Sequence, residues 1–251
     1  MNAFVGCSGW FYWHWRNLFY PEEIPTHRWF RHYTENFDTV ELNAPFYRWP
    51  EKATVRRWVR DASPGFKYTV KVNGLITHER RFVGTAKLVQ EFYQIADTLG
   101  ELMGCFLFQL PPSYRYHPAR LATILRQLNT NYKNVVEFRH KTWWRENVYR
   151  AFRDAGVCFC SVSGPRLPEE LVQTTPWVYL RFHGRTKWYR YNYSEEELAE
   201  WVSKVQAISP EEVWAYFNND REAHAIHNAK TLRGMLQGAE ARPEPAIAAA
   251  C

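Results

Sequence analysis

Short runs rich in β-branched and aromatic residues recur eight times along the chain, and a longer stretch of helical spacing follows each one. Strands read as short apolar runs, whereas an amphipathic helix repeats its apolar positions three and four residues apart. The strand candidates are Phe4 to Ser8, Phe37 to Asn43, Phe66 to Val72, Met103 to Leu110, Asn134 to Phe138, Val157 to Ser161, Trp177 to Phe182 and Glu212 to Phe217. Helical patterns occupy 26–35, 51–61, 84–99, 117–130, 143–155, 167–173, 194–207 and 221–236. Thr26 and Ser194 stand where N-caps belong, and Glu195, Glu196 and Glu197 suit the first turn after Ser194. Gly100, Gly156 and Gly238 follow periodic stretches and mark expected helix ends.

Eight strand-then-helix units in 251 residues match the size and period of a (β/α)8 barrel. Strands joined through crossover helices are parallel and covered on both faces. The expected architecture is therefore α/β: a single TIM barrel with a parallel eight-stranded core over residues 1–238. Residues 239–251, rich in Ala and Pro, read as a disordered tail. An open doubly wound sheet would use fewer units, and its Gly-x-Gly-x-x-Gly signature is missing.

With 46% apolar and 23% charged residues, the composition is that of a globular chain. No apolar run nears the roughly 18 residues of a membrane span, and no charged segment precedes a hydrophobic one at the start. The five cysteines form no Cys-x-x-Cys pair and lie mostly in apolar runs, so core filling and a reducing cytoplasm are expected. A net charge of +6 favours anionic partners through encounter rate rather than through fold.

Side chains alternate across a strand, so one parity of each barrel strand faces the axis. On that parity stand Thr39, Glu41 and Asn43; Thr69, Lys71 and Asn73; Val135, Glu137 and Arg139; and Tyr179, Arg181 and His183. Unpaired charges are costly to bury, so these groups must pair, reach solvent or meet a ligand. They fall near strand C-termini, where barrel enzymes hold their chemistry. Ser8, Thr77, His78, Gln109, His140, Ser161, Arg185, Asn218, Asn219 and Asp220 fall at neighbouring strand ends. Lys71, Arg139, Arg181 and Arg185 outnumber Glu41, Glu137 and Asp220, so the mouth suits an anion, and Arg grips oxyanions in a bidentate manner. Aromatics crowd the same rim, Trp10 and Tyr189 among them, and such rings stack sugars or bases. A competing reading makes the charges a structural ion-pair network that closes the barrel top.

The ordered motifs Gly6-Cys7-Ser8-Gly9-Trp10 with Phe19-Tyr20-Pro21, Thr39-Val40-Glu41-Leu42-Asn43 with Phe46-Tyr47, Val70-Lys71-Val72 with Ile76-Thr77-His78, Gln109-Leu110-Pro111-Pro112, Val136-Glu137-Phe138-Arg139-His140 with Trp143, Arg181-Phe182-His183-Gly184 and Tyr216-Phe217-Asn218-Asn219-Asp220 resemble the YecE-like (DUF72) family. The resemblance spans nearly the whole chain. It implies a TIM barrel and no settled activity, and kinship with barrel endonucleases or sugar isomerases is analogy of fold. Asn17 stands where the family pattern implies glycine, and Asn tolerates the same left-handed backbone.

Three functions compete. The first is a hydrolase or lyase acting on a phosphate-bearing substrate, nucleic acid among the candidates. Glu41 or Glu137 would be general base and His183 or His78 the acid. Lys71, Arg139, His140, Arg181, Arg185, Asn43, Gln109, Asn218, Asn219, Asp220, Trp10 and Tyr189 would bind substrate. The second is a metal-dependent sugar isomerase or phosphodiesterase with Glu41, Glu137, His183, His78 and Asp220 as ligands. No His-x-x-x-His or Cys/His spacing supports it, and the interleaved cations compete for the carboxylates, so neither metal nor cofactor is expected. The third is a non-catalytic anion or nucleic-acid binding protein.

Overall fold

Eight strands close on themselves in chain order, every neighbouring pair parallel. They are β1 (Asn2–Cys7), β2 (Thr39–Leu42), β3 (Lys67–Lys71), β4 (Met103–Gln109), β5 (Lys133–Glu137), β6 (Cys158–Ser163), β7 (Trp177–Phe182) and β8 (Glu212–Phe217). The computed structural model describes residues 1–240. Around the barrel run α1 (Trp29–Asn36), α2 (Ala44–Tyr47), α3 (Lys52–Asp61), α4 (Ala86–Leu99), α5 (Pro118–Leu125), α6 (Glu146–Asp154), α7 (Glu195–Ile208) and α8 (His224–Glu240). The fold is the (β/α)8 barrel that the alternation predicts, and each expected strand coincides with the observed one to within a few residues.

Three local expectations need correction. No helix forms at 167–173. Pro168 and Pro176 leave too short a stretch, and its backbone is claimed by β6: Val172 N–H donates to Ser161 Oγ, while Thr174 Oγ1 accepts from Phe159 N–H and donates to the Val157 carbonyl. Gly238 does not end α8, which continues to Glu240. Thr26 opens a 3-10 turn without a side-chain cap. Ser194, by contrast, makes a complete capping box with Glu197. Gly100 and Gly156 do terminate helices, with φ of 54° and 63°, and Asn17 takes the left-handed backbone at φ 65°. The expected tail lies, from 241 on, outside the described residues.

The outward parity of the strands packs Val40, Val70, Phe106, Val136, Phe159 and Leu180 against the helices. The axis is filled by a second cluster containing Cys105, Leu107, Val135, Cys158, Cys160, Val162, Tyr179, Trp214 and Tyr216. Cys7, Cys105, Cys158 and Cys160 are all free and buried, and burial raises each thiol's pKa above its ordinary value. At the bottom Phe4 stacks on Trp214 at 4.2 Å. Higher up, the Tyr216 hydroxyl sits 2.6 Å from Thr39 Oγ1 and 2.9 Å from Thr69 Oγ1. The lower barrel is thus a solid plug.

β1 is joined to its two neighbours unequally. It aligns with β8 over six residues but meets β2 in register only at Cys7 and Val40. Tyr33 of α1 bridges the seam: its hydroxyl accepts from Cys7 N–H at 2.9 Å and donates to the Thr39 carbonyl at 3.0 Å. A Cβ on Gly6 would lie 2.3 Å from that carbonyl oxygen, so the approach requires glycine. No helix among the described residues is long and apolar enough to cross a membrane.

Candidate functional site at the barrel mouth

The floor of the mouth is an ion-pair layer. Arg181, at the end of β7, is 1% exposed and reaches between two fully buried carboxylates. One terminal nitrogen donates to Glu41 Oε1 at 2.5 Å, the other to Glu137 Oε2. The second oxygen of Glu41 accepts from Tyr179 at 2.7 Å, and that of Glu137 accepts from Arg139 Nε. Burial would raise the Glu137 carboxyl, but the guanidinium groups of Arg139 and Arg181, together with His183, overcome it and hold it well below the usual range. Glu41 and Glu137 are therefore tied by hydrogen bonds at both oxygens.

Above the floor, Arg139 is clamped from three sides. Trp188 lies under its guanidinium at 4.7 Å, the Tyr189 hydroxyl is 3.4 Å away, and its remaining nitrogen lies 3.0 Å from His183 Nε2. His183 is wholly buried; Nε2 is also 3.3 Å from Glu137, and Nδ1 is 3.2 Å from the Asn218 amide. Burial first, then Arg139 and Arg181, push its pKa well below the ordinary value, so the ring is neutral at pH 7. Gly184, at φ 106°, turns the chain after β7 so that Trp188 and Tyr189 fold back over this corner.

The opposite wall is built by β3. Lys71 ends that strand half-buried, its ammonium 4.1 Å from the centroid of the Phe46 ring. Among the described residues it makes neither an ion pair nor a hydrogen bond. Burial, then the positive field of Arg181, lower its pKa to about 8 against the opposing pull of Glu137 and Glu41. A π-helical turn, Leu75–Glu79, swings His78 edge-on to Phe46 at 4.8 Å. His78 Nδ1 is 3.0 Å from Thr77 Oγ1, and Nε2 is 3.5 Å from the Gln109 amide, whose nitrogen also donates to the Leu110 carbonyl. Burial, then Lys71 and Arg139, bring the His78 pKa down to about 4. Asn43 Nδ2 donates to the Ser8 carbonyl, and its Oδ1 is buried without a partner.

Glu41, Asn43, Lys71, His78, Gln109, Glu137, Arg139, Arg181, His183, Tyr189 and Asn218 thus share one interlinked region. Five other expected site residues make their contacts elsewhere. Arg185 is drawn outward onto Glu169, Glu197 and Glu200 at 2.9, 3.1 and 3.1 Å, joining the β6–β7 segment to α7. Asn219 is fully buried and donates to the Tyr191 carbonyl and Asn228. Asp220 pairs with His14 and accepts from Trp15 through its carbonyl. His140 caps the turn at Thr142. Trp10 lines an outer cavity of about 500 Å³ with Phe30, Thr54 and Trp58. Phe46 and Trp188, which seat the two cations, are not among the expected site residues, although Phe46 belongs to the motif after the second strand and Trp188 to the aromatic run after the seventh. Much of the aromatic rim is packing: Trp15 and Trp143 are fully buried, while Trp13 and Tyr47 are exposed.

Among the described residues no group of three or more His, Cys, Asp or Glu side chains is arranged to hold a metal ion. The carboxylates nearest His183 are occupied by guanidinium groups, which is a poor donor set for a dication.

A family profile described as "Protein of unknown function DUF72" matches residues 4–249. The UPF0759 protein YunF of Bacillus subtilis is 24% identical over 93% of this chain and 94% of its own length. The UPF0759 protein YecE of Escherichia coli K12 is 30% identical over 43% of this chain and 40% of its own. Among solved structures, a DUF72 family protein from Thermotoga maritima superposes with a TM-score of 0.86 at 29% identity, covering 94% of this chain and all of that one. One from Enterococcus faecalis V583 superposes with a TM-score of 0.81 at 20% identity, covering 94% and 95%. The motif order, the closed barrel and the profile match agree, and the chain belongs to the DUF72 family.

Proposed function

We propose that the barrel mouth is the active site of an enzyme, a hydrolase or lyase, acting on a phosphate-bearing substrate. The observation that carries this reading is Lys71, a cation at the mouth with no carboxylate among the described residues within ion-pair distance. Arg181 is spent on Glu41 and Glu137, so its part is to shape the floor. Glu41 and Glu137, each held at both oxygens, serve by positioning Arg181 and Arg139 rather than by moving protons. Proton transfer then falls to Lys71, whose pKa of about 8 lies close to neutrality, with His78 beside it. Asn43, Gln109, Asn218 and Tyr189 supply neutral polar contacts around the anion.

The test is a melting curve of the full chain in sodium phosphate against sodium chloride of equal ionic strength. A ligand at a hundred times its Kd stabilises by about 2.7 kcal/mol, or about 5–10 °C for a chain this long. Lys71→Met should lower the apparent phosphate affinity at least tenfold. No phosphate-specific stabilisation of the parent protein would remove the reading.

A second reading, a non-catalytic binder of single-stranded nucleic acid, draws support from the exposed rings of Trp13 and Tyr47 on a basic protein. Affinity for an oligonucleotide must then fall steeply with salt, and a flat response eliminates it.

A further inference from the structure

The wall formed by Lys71, Phe46, His78 and Gln109 differs in kind from the wall around Arg139. Every polar atom of the Arg139 corner is answered by a neighbour: Glu137, His183 and Tyr189 hold the guanidinium, and Asn218 holds the imidazole. Lys71 instead rests its terminal nitrogen on an aromatic ring, at the C-terminal end of a strand in the wall of the mouth. An amine seated on an apolar surface and outside ion-pair distance of any carboxylate among the described residues is in the setting that activates lysine as a nucleophile toward carbonyl carbon.

We propose that Lys71 forms an imine with the carbonyl group of a small anionic aldehyde or ketone, an inference that rests on the anion-binding reading above and names its substrate class. The groups that set the charge of Lys71 are Arg181 and Arg139, which repel it, and Glu137 and Glu41, which attract it, with burial the largest influence. With a pKa of about 8, about a tenth of the amine is unprotonated at pH 7, against roughly one part in three thousand for an ordinary lysine. The anionic end would take the place of the Tyr189 hydroxyl, which Arg139 holds only at 3.4 Å.

The lone pair of Lys71 Nζ attacks the carbonyl carbon, a carbon–nitrogen bond forms, and the carbonyl π pair moves to oxygen, which takes up a proton. Loss of that oxygen as water leaves a protonated imine. Its positive nitrogen accepts the electron pair of the carbon–hydrogen bond on the adjacent carbon, whose proton leaves to water, and that carbon later takes a proton back to restore the imine. Water later hydrolyses the link and returns the amine, so no oxidant or reductant is consumed.

The experiment treats the full chain with glycolaldehyde phosphate and sodium cyanoborohydride, which reduces an imine to a stable secondary amine, and maps the modified peptides by mass. Lys71 should be modified at least tenfold faster at pH 7 than the exposed Lys52, with a rate that rises with pH around a midpoint near 8. Inorganic phosphate should slow the reaction at Lys71 and leave Lys52 unaffected. Lys71→Arg, which keeps the charge, should retain the phosphate-dependent rise in melting temperature and lose the fast site. Labelling of Lys71 no faster than Lys52 while phosphate still stabilises the protein overturns the nucleophile and leaves the anion reading standing. Rapid labelling that phosphate fails to slow overturns the anionic substrate class together with the reading beneath it.

Discussion

Replacing Arg181 by Met removes the one positive charge that Glu41 and Glu137 share. The two carboxylates feel the loss differently. Glu137 keeps Arg139 and His183, whereas Glu41 keeps only the Tyr179 hydroxyl at 2.7 Å. Both are wholly buried, so neither can recover water in compensation. Removing one partner of a buried pair costs about 3–5 kcal/mol, and here the cost concentrates on Glu41. For a chain of this length that is a fall in Tm of about 6–20 °C. Urea unfolding followed by circular dichroism gives the free energy, with an unchanged m-value as the check that the denatured state is the same. The double variant Arg181→Met, Glu41→Gln leaves no orphaned charge at that position and should recover more than half of the loss. A single variant that costs less than about 1 kcal/mol, or a double variant as unstable as the sum of its parts, would refute the picture of Arg181 as the charge that balances the floor.

Stability should also fall with acid in a defined window. The His78 pKa lies at about 4 in the folded chain, and burial likewise holds His183 well below its ordinary value. Between pH 6.5 and 4 the unfolded chain therefore binds protons that the folded chain refuses, so folding weakens as pH falls through that range. Glu137, held low, adds to the loss below its ordinary value of 4.5. A urea midpoint that stays flat between pH 7 and 5 would contradict the burial of both imidazoles. Tyr33→Phe should cost about 2–4 kcal/mol, because Cys7 N–H and the Thr39 carbonyl lose their shared partner and neither is in reach of water. Hydrogen exchange should locate the weakening at the β1–β2 edge, and a change spread evenly over the barrel would argue against it.

Strand placement was legible because strands covered on both faces announce themselves as short continuous apolar runs, and the polar exceptions at Glu41, Lys71, Glu137 and Arg181 kept the inward parity throughout. What the pattern could not convey is which ion pairs form once the ring closes. Arg139 and Arg185 both follow inward-facing strands, yet the first turns onto Glu137 and the second, beyond the bend at Gly184, reaches three carboxylates on the outside. Asn219 and Asp220 sit beside Asn218 in sequence, but only Asn218 reaches His183, the others being spent on holding loops together. The missing helix at 167–173 has the same origin, since Ser161 captures the Val172 N–H and Thr174 just beyond is tied to the Val157 carbonyl, contacts that no single helical turn contains. Periodicity reports burial; partner choice depends on contacts made across the whole ring.

The uneven attachment of β1 has a consequence for the order in which the molecule can be assembled on the ribosome. β1 is made well before its principal neighbour, β8, and its bond to β2 amounts to one aligned position and a tyrosine hydroxyl. The intervening strands can therefore grow as an open, curved sheet while the amino-terminal segment waits as a loose flap. Release of residues 212–217 lets it latch, and the long reach of that contact makes closure the slow step. A nascent chain halted before Phe217 should consequently remain sensitive to protease at its beginning rather than at its growing end.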